Sequence, residues 1–261
     1  MLQCEGLNVA FDGPPILRDV SLRIPAHSLV GVLGPNGSGK TTLLRALSGA
    51  VAPTSGRILF DGQNLGAFSA AQLARRLAVV PQETHLAFDY SVIEMVLMGR
   101  YPHLGPFEFE GPADLASAHA ALAATGTDHL ADRQFTTLSG GEKQRVVIAS
   151  ALAQLGEGTP DMGAAGRVLL LDEPTASLDL RYQMEVAALL RRLHDRQDIT
   201  IVMTTHDVQF AARVCSELVL LGEGRVLAQG PPDSVLTTSQ IAALYSISPA
   251  QAAPFAVAER M

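Results

Sequence analysis

The chain has 261 residues, of which 48% are hydrophobic and 17% are charged. This length suits one catalytic unit with an inserted lobe, and the composition excludes a disordered chain. The two cysteines, Cys4 and Cys215, are too few for a disulfide framework. The net charge of −7 argues against nucleic acid as the main partner, because phosphate backbones favour a basic face.

No apolar run in the sequence approaches the length of a membrane span. The first residues also lack the basic start and apolar stretch of a signal peptide. We therefore expect the chain to stay in the cytosol.

The chain begins with two predicted strands, at residues 7–11 and 21–24, joined by a Gly-Pro turn. Phe11 ends the first of them. Ordinary core packing is the favoured interpretation of Phe11 from the residues alone. Residues 29–33 are continuously apolar and predict a buried strand, and a helix is predicted over residues 42–47.

Between this strand and this helix lies a glycine-rich loop that fits the pattern G-x-x-x-x-G-K-[ST] at every fixed position. Its glycines let backbone N–H groups face phosphate oxygens, and the helix start adds partial positive charge. Lys40 is expected to reach the β- and γ-phosphates, and the Thr41 hydroxyl to bind Mg²⁺. The residues predicted to bind nucleotide in this segment are Gly34, Asn36, Gly37, Ser38, Gly39, Lys40, Thr41 and Thr42.

Gln82 follows a short predicted strand over residues 77–80. Open α/β sheets place their ligands at such strand ends, so the Gln82 amide is a candidate to bind Mg²⁺ or to position a water. A solvated loop residue is the plain alternative.

Strand signals disappear between residues 91 and 154, and helical spacing predicts a mostly helical lobe inserted into an α/β domain. Within it, residues 101–107 form a loop rich in aromatic residues and prolines. This loop is either a contact surface or packs under its own lobe.

Ser139 and Glu142 predict a capping box at the start of an apolar helix. A well-formed helix start explains these two residues, but it does not explain the neighbouring Gly140 and Gly141, which cost helix stability and permit close backbone approach. The segment therefore predicts a second anion site at a helix N-terminus.

The buried strand predicted over residues 168–171 ends in two acids, Asp172 and Glu173. Carboxylates near a core are costly unless a cation matches them, so we expect Asp172 to hold the Mg²⁺ shell and Glu173 to polarise the attacking water. Asp179 follows in a loop and is also a candidate helix cap. His206 ends another buried strand, over residues 200–205, and is predicted to contact the γ-phosphate.

The order of these motifs along the chain resembles that of the ATP-binding cassette (ABC) ATPases. The motifs are the glycine-rich loop at residues 34–41 (the P-loop), Gln82, the 138–144 segment, the acidic pair Asp172 and Glu173, Asp179 and His206. The resemblance covers nearly the whole chain. It implies an α/β P-loop NTPase fold, with a RecA-like core, an N-terminal antiparallel β subdomain and an inserted helical subdomain. In this arrangement residues 1–85 and 157–230 form the catalytic core, 86–156 the helical subdomain with the signature motif (the 138–144 segment), and 231–261 a C-terminal helical tail.

The resemblance also implies roles for individual residues. Phe11 becomes an aromatic adenine contact, although many members of the family have Tyr there. Gln82 becomes the Q-loop residue, Asp172 and Glu173 the Walker B pair, Asp179 the D-loop acid, and His206 the switch histidine. Catalysis is thus assigned to Glu173, His206 and Gln82, and Mg²⁺ binding to Thr41, Gln82 and Asp172.

A head-to-tail homodimer is a further implication, in which ATP on one P-loop is covered by Ser139, Gly140 and Gly141 of the second copy. Within the family, residues 98–103 resemble the ATPases of bacterial importers for ferric siderophore, haem and cobalamin. This implies a peripheral subunit on the cytoplasmic face of the inner membrane. It would work with a separate permease and, indirectly, with a periplasmic or extracellular substrate-binding protein.

Two alternatives to transport remain. Non-transport ABC ATPases acting on nucleic acid or ribosomes resemble either tandem cassettes or cassettes split by long coiled coils, and both need basic surface. This chain is expected to have one cassette and no coiled coil, and its charge balance is acidic. A small-molecule kinase would leave the 138–144 segment unexplained.

Overall fold

A computed structural model describes residues 2–84, 86–156, 166–176, 178–197 and 199–257. Its strands are β1 (Leu2–Val9), β2 (Leu17–Ile24), β3 (Leu29–Leu33), β4 (Ser55–Phe60), β5 (Gln63–Asn64), β6 (Leu77–Val80), β7 (Arg167–Leu171), β8 (Ile199–Thr205), β9 (Glu217–Gly222) and β10 (Arg225–Gly230). Its α-helices are α1 (Lys40–Leu47), α2 (Ala70–Ala74), α3 (Val92–Leu97), α4 (Pro112–Thr125), α5 (Gly140–Leu155), α6 (Leu180–Gln197), α7 (Val208–Val214), α8 (Pro232–Val235), α9 (Thr238–Tyr245) and α10 (Pro249–Ala252). The predicted elements recur with bounds shifted by a few residues.

The described chain forms two compact units. The first comprises the described parts of residues 1–67, 171–173 and 200–261, and the second those of residues 68–170 and 174–199. The domain bounds expected from the sequence, including the insert at 86–156, stay a prediction.

The first unit contains two groups of strands. One is an antiparallel sheet in the order β2-β1-β4-β5, as expected for the N-terminal subdomain. In the other, strands run in the order β10-β9-β3-β8, and β3 is parallel to both β8 and β9. Both β3 and β8 are buried along their whole length, which explains why neither strand carries a charged residue, although β8 includes three threonines.

The register of β3 and β8 determines where the functional loops meet. Leu33 at the end of β3 lies opposite Thr205 at the end of β8. The residues that follow these strands, Gly34 and His206, therefore emerge side by side at the carboxyl edge of the sheet. Two segments far apart in sequence share one site for this reason.

The second unit is mostly helical, with β6 and β7 as its strands. Its helices α3 and α5 each begin with a capping box, formed by Ser91 with Glu94 and by Ser139 with Glu142. The turn after α3 is fixed by Arg100, whose guanidinium donates to the Asp114 carboxylate (3.0 Å). Next along the chain, Phe107 is fully exposed, so the 101–107 loop does not pack entirely under its own lobe.

Within the described ranges, none of the helices combines the length and the apolar composition needed to span a lipid bilayer.

Candidate nucleotide-binding site

The glycine-rich loop lies where the sequence predicts it, between the buried strand β3 and helix α1. The Gly34 N–H donates to the Thr205 carbonyl (3.3 Å), which ties the loop to the end of β8. Gly39, the N-cap of α1, has φ of 100°, a conformation that residues with a Cβ rarely adopt. The motif glycine is thus required by the turn into the helix.

Lys40 is buried, and its ammonium is surrounded by oxygen atoms. Nζ donates to the carbonyls of Gly34 (2.9 Å) and Pro35 (3.1 Å) and forms an ion pair with Glu173 Oε1 (3.1 Å). A buried ammonium is costly unless it is neutralised, and Glu173 supplies the counter-charge. The P-loop lysine and the second Walker B acid are therefore in direct contact.

Asp172 is buried, and one of its oxygens accepts two hydroxyl hydrogen bonds. Oδ1 accepts from Thr41 Oγ1 (3.2 Å) and from Thr204 Oγ1 (2.7 Å). A carboxylate beside a P-loop hydroxyl is the oxygen donor set that suits Mg²⁺, which also keeps waters and phosphate oxygens as ligands. Among the residues that the structure describes, no group of three or more His, Cys, Asp or Glu side chains is arranged to bind a metal.

Glu173 is held at three points. Its N–H donates to Thr204 Oγ1 (2.9 Å), Oε1 pairs with Lys40, and Oε2 lies 3.1 Å from His206 Nδ1. Its φ of 44° is positive, and non-glycine residues with such angles concentrate at functional sites. The carboxylate thus bridges the P-loop and the end of β8.

Ser38 provides a direct test of whether the loop fits a phosphate. Its hydroxyl oxygen is buried and has no hydrogen-bond partner among the residues that the structure describes. Such groups carry a desolvation cost unless a ligand or water satisfies them. A phosphate oxygen in the loop would accept this hydroxyl, so the residues present fit a bound nucleotide. Nearby, Asn36 and Gly37 are exposed and Thr42 is half-buried.

The signature residues lie in the second unit. The Ser139 N–H and hydroxyl both donate to Glu142 Oε2 (2.8 Å each), and these bonds lower the pKa of the Glu142 carboxyl. The predicted capping box is confirmed. Gly140 is exposed, whereas Gly141 is buried, and a Cβ on Gly141 would lie 2.2 Å from the Tyr182 ring.

Two further candidates also belong to the second unit. Gln82 is exposed just after β6, as the sequence predicts. Asp179 Oδ1 accepts from the Tyr182 N–H (3.1 Å), so the capping role that the sequence left open for Asp179 is present. Ser177, in the same loop as Asp179, lies outside the described residues. Most of a second predicted loop, the glycine-rich one over 156–166, also lies outside them.

Phe11 differs from the interpretation favoured by its residue type. Its side chain is 54% exposed in the segment after β1, so core packing is wrong. An exposed ring is available to stack on a base, and the adenine contact stays a prediction.

Thr204 is the functional residue that the sequence did not single out. Its hydroxyl is buried and links Asp172 to the backbone of Glu173. The signal available in the sequence was threonines inside an otherwise apolar strand. A buried hydroxyl normally has a hydrogen-bond partner, so their presence there indicates polar neighbours.

A phosphate-binding loop between a buried strand and a helix, with a lysine and two acids at the same sheet edge, defines a P-loop nucleotide-binding protein. The sequence profile described as ABC transporter matches residues 17–176, which is more than half of the chain. The chain belongs to this family of ATP-binding cassettes.

Its relatives include importer subunits. A cobalamin import ATP-binding protein of Halobacterium salinarum is 45% identical over 244 residues, covering 94% of this chain. The chain spans only 58% of the length of that relative. A hemin import ATP-binding protein of Bordetella pertussis is 45% identical over 248 residues, covering 94% of this chain and 92% of the relative.

Solved structures agree on the fold. The chain matches a metal-chelate type ABC transporter in an inward-facing conformation with a TM-score of 0.79 and 32% identity, over 93% of this chain and 87% of that one. It also matches a dimeric bacterial ABC transporter cassette with a TM-score of 0.74 and 25% identity, over 88% and 98%. The predicted P-loop NTPase fold is confirmed.

Proposed function

We propose that this chain is the ATP-hydrolysing subunit of an ABC importer for a metal chelate: haem, a ferric siderophore or cobalamin. The observation that carries the ATPase assignment is the contact network joining Lys40, Glu173, His206 and the Thr41–Asp172 pair. The importer assignment is supported by relatives named for cobalamin and hemin import, and by the metal-chelate transporter structure.

In the proposed reaction, the loop N–H groups and Lys40 bind the β- and γ-phosphates of ATP. Thr41 and Asp172 are the residues that would hold Mg²⁺, with Gln82 as a further proposed ligand. When bound, Mg²⁺ neutralises charge on the phosphate oxygens. Thr204 keeps the Asp172 carboxylate in place for this role.

Glu173 orients the attacking water and accepts its proton, and His206 contacts the γ-phosphate. Because Glu173 pairs with Lys40 in this structure, phosphate binding to Lys40 weakens that pair and frees the carboxylate for the water. Binding of substrate and activation of the base are thus linked through a single ammonium.

The site is completed by a second copy of the chain in the proposed head-to-tail homodimer. Ser139, Gly140 and Gly141 of the second copy cover the ATP, and Phe11 stacks on the adenine. Asp179, as the D-loop acid, belongs to the same nucleotide site. The dimeric cassette among the structural matches supports this assembly. Hydrolysis removes the phosphate that holds the two copies together, and the interface opens.

In the cell, the dimer sits on the cytoplasmic face of the inner membrane as a peripheral subunit bound to a separate permease. A periplasmic or extracellular substrate-binding protein supplies the chelate. The inserted helical subdomain expected at 86–156 docks on the permease. Relatives named as import proteins favour this role over action on nucleic acid or ribosomes.

The test combines capture and uptake. The tagged chain is purified from native membranes in mild detergent to identify the permease, and uptake of haemin, cobalamin and a ferric siderophore is measured in cells that carry or lack the gene. We expect one chelate to require the chain and a Glu173→Gln variant to abolish its uptake. Equal uptake of all three chelates with and without the chain contradicts the importer role.

A further inference from the structure

The C-terminal helices of the first unit contact the loop that carries the switch histidine. Tyr245 is the last residue of α9, and its hydroxyl donates to the backbone carbonyl of His206 (3.0 Å). The helix that presents this hydroxyl is firmly anchored, since Ile241 and Leu244 are buried and Thr237 caps its N-terminus. The donor therefore has a fixed position.

The backbone at His206 is also restrained by the residues before and after it. Before it, Thr205 ends β8. After it, Asp207 donates its N–H to Thr205 Oγ1 (3.1 Å) and caps α7 by accepting from the Phe210 N–H (2.9 Å). Binding of the carbonyl by Tyr245 adds a third restraint, which acts on the orientation of the peptide plane.

Packing alone does not supply this restraint. A cavity of about 420 Å³ lies between the start of α7 and the C-terminal helices. Its lining includes His206 and Val208 together with Ile241, Tyr245 and Phe255. Because these side chains leave space between them, the hydroxyl-to-carbonyl hydrogen bond is a discrete link at the edge of the cavity.

The Tyr245 hydroxyl is suited to act as a permanent donor. Burial, with a smaller contribution from the Asp207 carboxylate, raises the pKa of Tyr245 to about 12. The phenol therefore stays protonated across the physiological pH range.

We propose that Tyr245 is a positioning residue for ATP hydrolysis, which holds the His206 backbone so that the imidazole faces Glu173 and the γ-phosphate. This inference rests on the proposed role of His206. This role is exercised through the His206 carbonyl and requires no direct contact of Tyr245 with nucleotide or metal.

The experiment measures ATPase kinetics of the full chain and of Tyr245→Phe, with ATP affinity from calorimetry and the thermal midpoint as companions. We expect kcat to fall roughly 2- to 12-fold, the equivalent of one hydrogen bond, while the dissociation constant for ATP is unchanged. The matched control is Phe255→Leu, which alters the same cavity without touching the His206 carbonyl and should leave kcat as in the parent.

A double-variant cycle separates positioning from general stability. Adding Tyr245→Phe to His206→Ala should produce no further loss of kcat, because the group being positioned is gone. An equal additional loss, an unchanged kcat in Tyr245→Phe alone, or a similar loss in Phe255→Leu overturns the inference. Full activity of His206→Ala instead refutes the proposed role of His206 itself.

If Tyr245→Phe fails to fold, 3-fluorotyrosine at position 245 keeps the ring and lowers the pKa of the hydroxyl. The ratio of kcat in the fluorinated protein to kcat in the parent should then fall as the pH passes through the pKa of the fluorinated phenol, because the donor is lost there while the parent phenol keeps its proton. A ratio that stays constant through that pKa overturns the inference.

Discussion

Thr204→Val tests whether one hydroxyl organises both Walker B acids. Valine keeps the volume of threonine but removes the group that donates to Asp172 Oδ1 (2.7 Å) and accepts from the Glu173 N–H (2.9 Å). A hydrogen bond to a charged group contributes about 1.5–3 kcal/mol, and a buried N–H left without a partner costs about 1–3 kcal/mol. We therefore expect Thr204→Val to lower the free energy of unfolding by about 3 kcal/mol.

For a chain of this size, that loss corresponds to a drop in the thermal midpoint of roughly 6–12 °C. Activity should fall as well, because residues that orient a metal ligand typically change metal affinity or activity by about 10–100-fold. The assay is ATP hydrolysis titrated with Mg²⁺, and we expect a higher Mg²⁺ requirement together with a lower kcat.

The matched control is Thr200→Val in the same buried strand. Thr200 Oγ1 accepts one hydrogen bond, from the His27 N–H (2.9 Å), and its loss should lower the midpoint by only roughly 2–4 °C. Its kcat and Mg²⁺ requirement should stay unchanged. If Thr204→Val also hydrolyses ATP like the parent with the same Mg²⁺ dependence, the role assigned to this hydroxyl is refuted.

Three further variants test the remaining site. Glu173→Gln should retain ATP binding, abolish turnover and trap a dimer on sizing chromatography, whereas a monomer under saturating ATP would contradict the shared site. Lys40→Ala should lose most ATP affinity by calorimetry, because the charge that contacts the phosphates is removed; unchanged affinity would rule out its phosphate role. Gly141→Ala should lower the thermal midpoint, since its Cβ would lie 2.2 Å from the Tyr182 ring. Gly140→Ala, whose Cβ would meet Leu178 Cδ2 at 3.5 Å, is the control and should leave the midpoint nearly unchanged.

The sequence was sufficient to locate the P-loop and the Walker B acids because each follows a run of buried, apolar residues. Such runs predict strands directly, and the parallel pairing of β3 with β8 brings the carboxyl ends of these two strands to one edge. His206 could be assigned to this edge for the same reason. These positions depend on local pattern and on one rule of sheet topology.

The contacts that the sequence could not reveal join segments with no common local pattern. Tyr245 lies 39 positions from His206, in a tail whose sequence suggests only short helices. The exposure of Phe11 was also missed, since residue type favours burial for Phe irrespective of the surrounding turn. Such features depend on tertiary packing, which residue type and periodicity do not encode.

The pairing of Lys40 with Glu173 has a consequence for ligand competition. One ammonium serves two anions in turn, the carboxylate of the protein and the phosphate of its substrate, so nucleotide association is an exchange of counter-ions. Removing the negative charge at position 173 leaves Lys40 without the carboxylate that competes with the phosphate. Glu173→Gln should therefore retain nucleotide for two reasons: ATP is not hydrolysed, and no carboxylate competes with the phosphate for Lys40. Comparing the binding of a non-hydrolysable analogue to this variant and to the parent would measure the second effect alone.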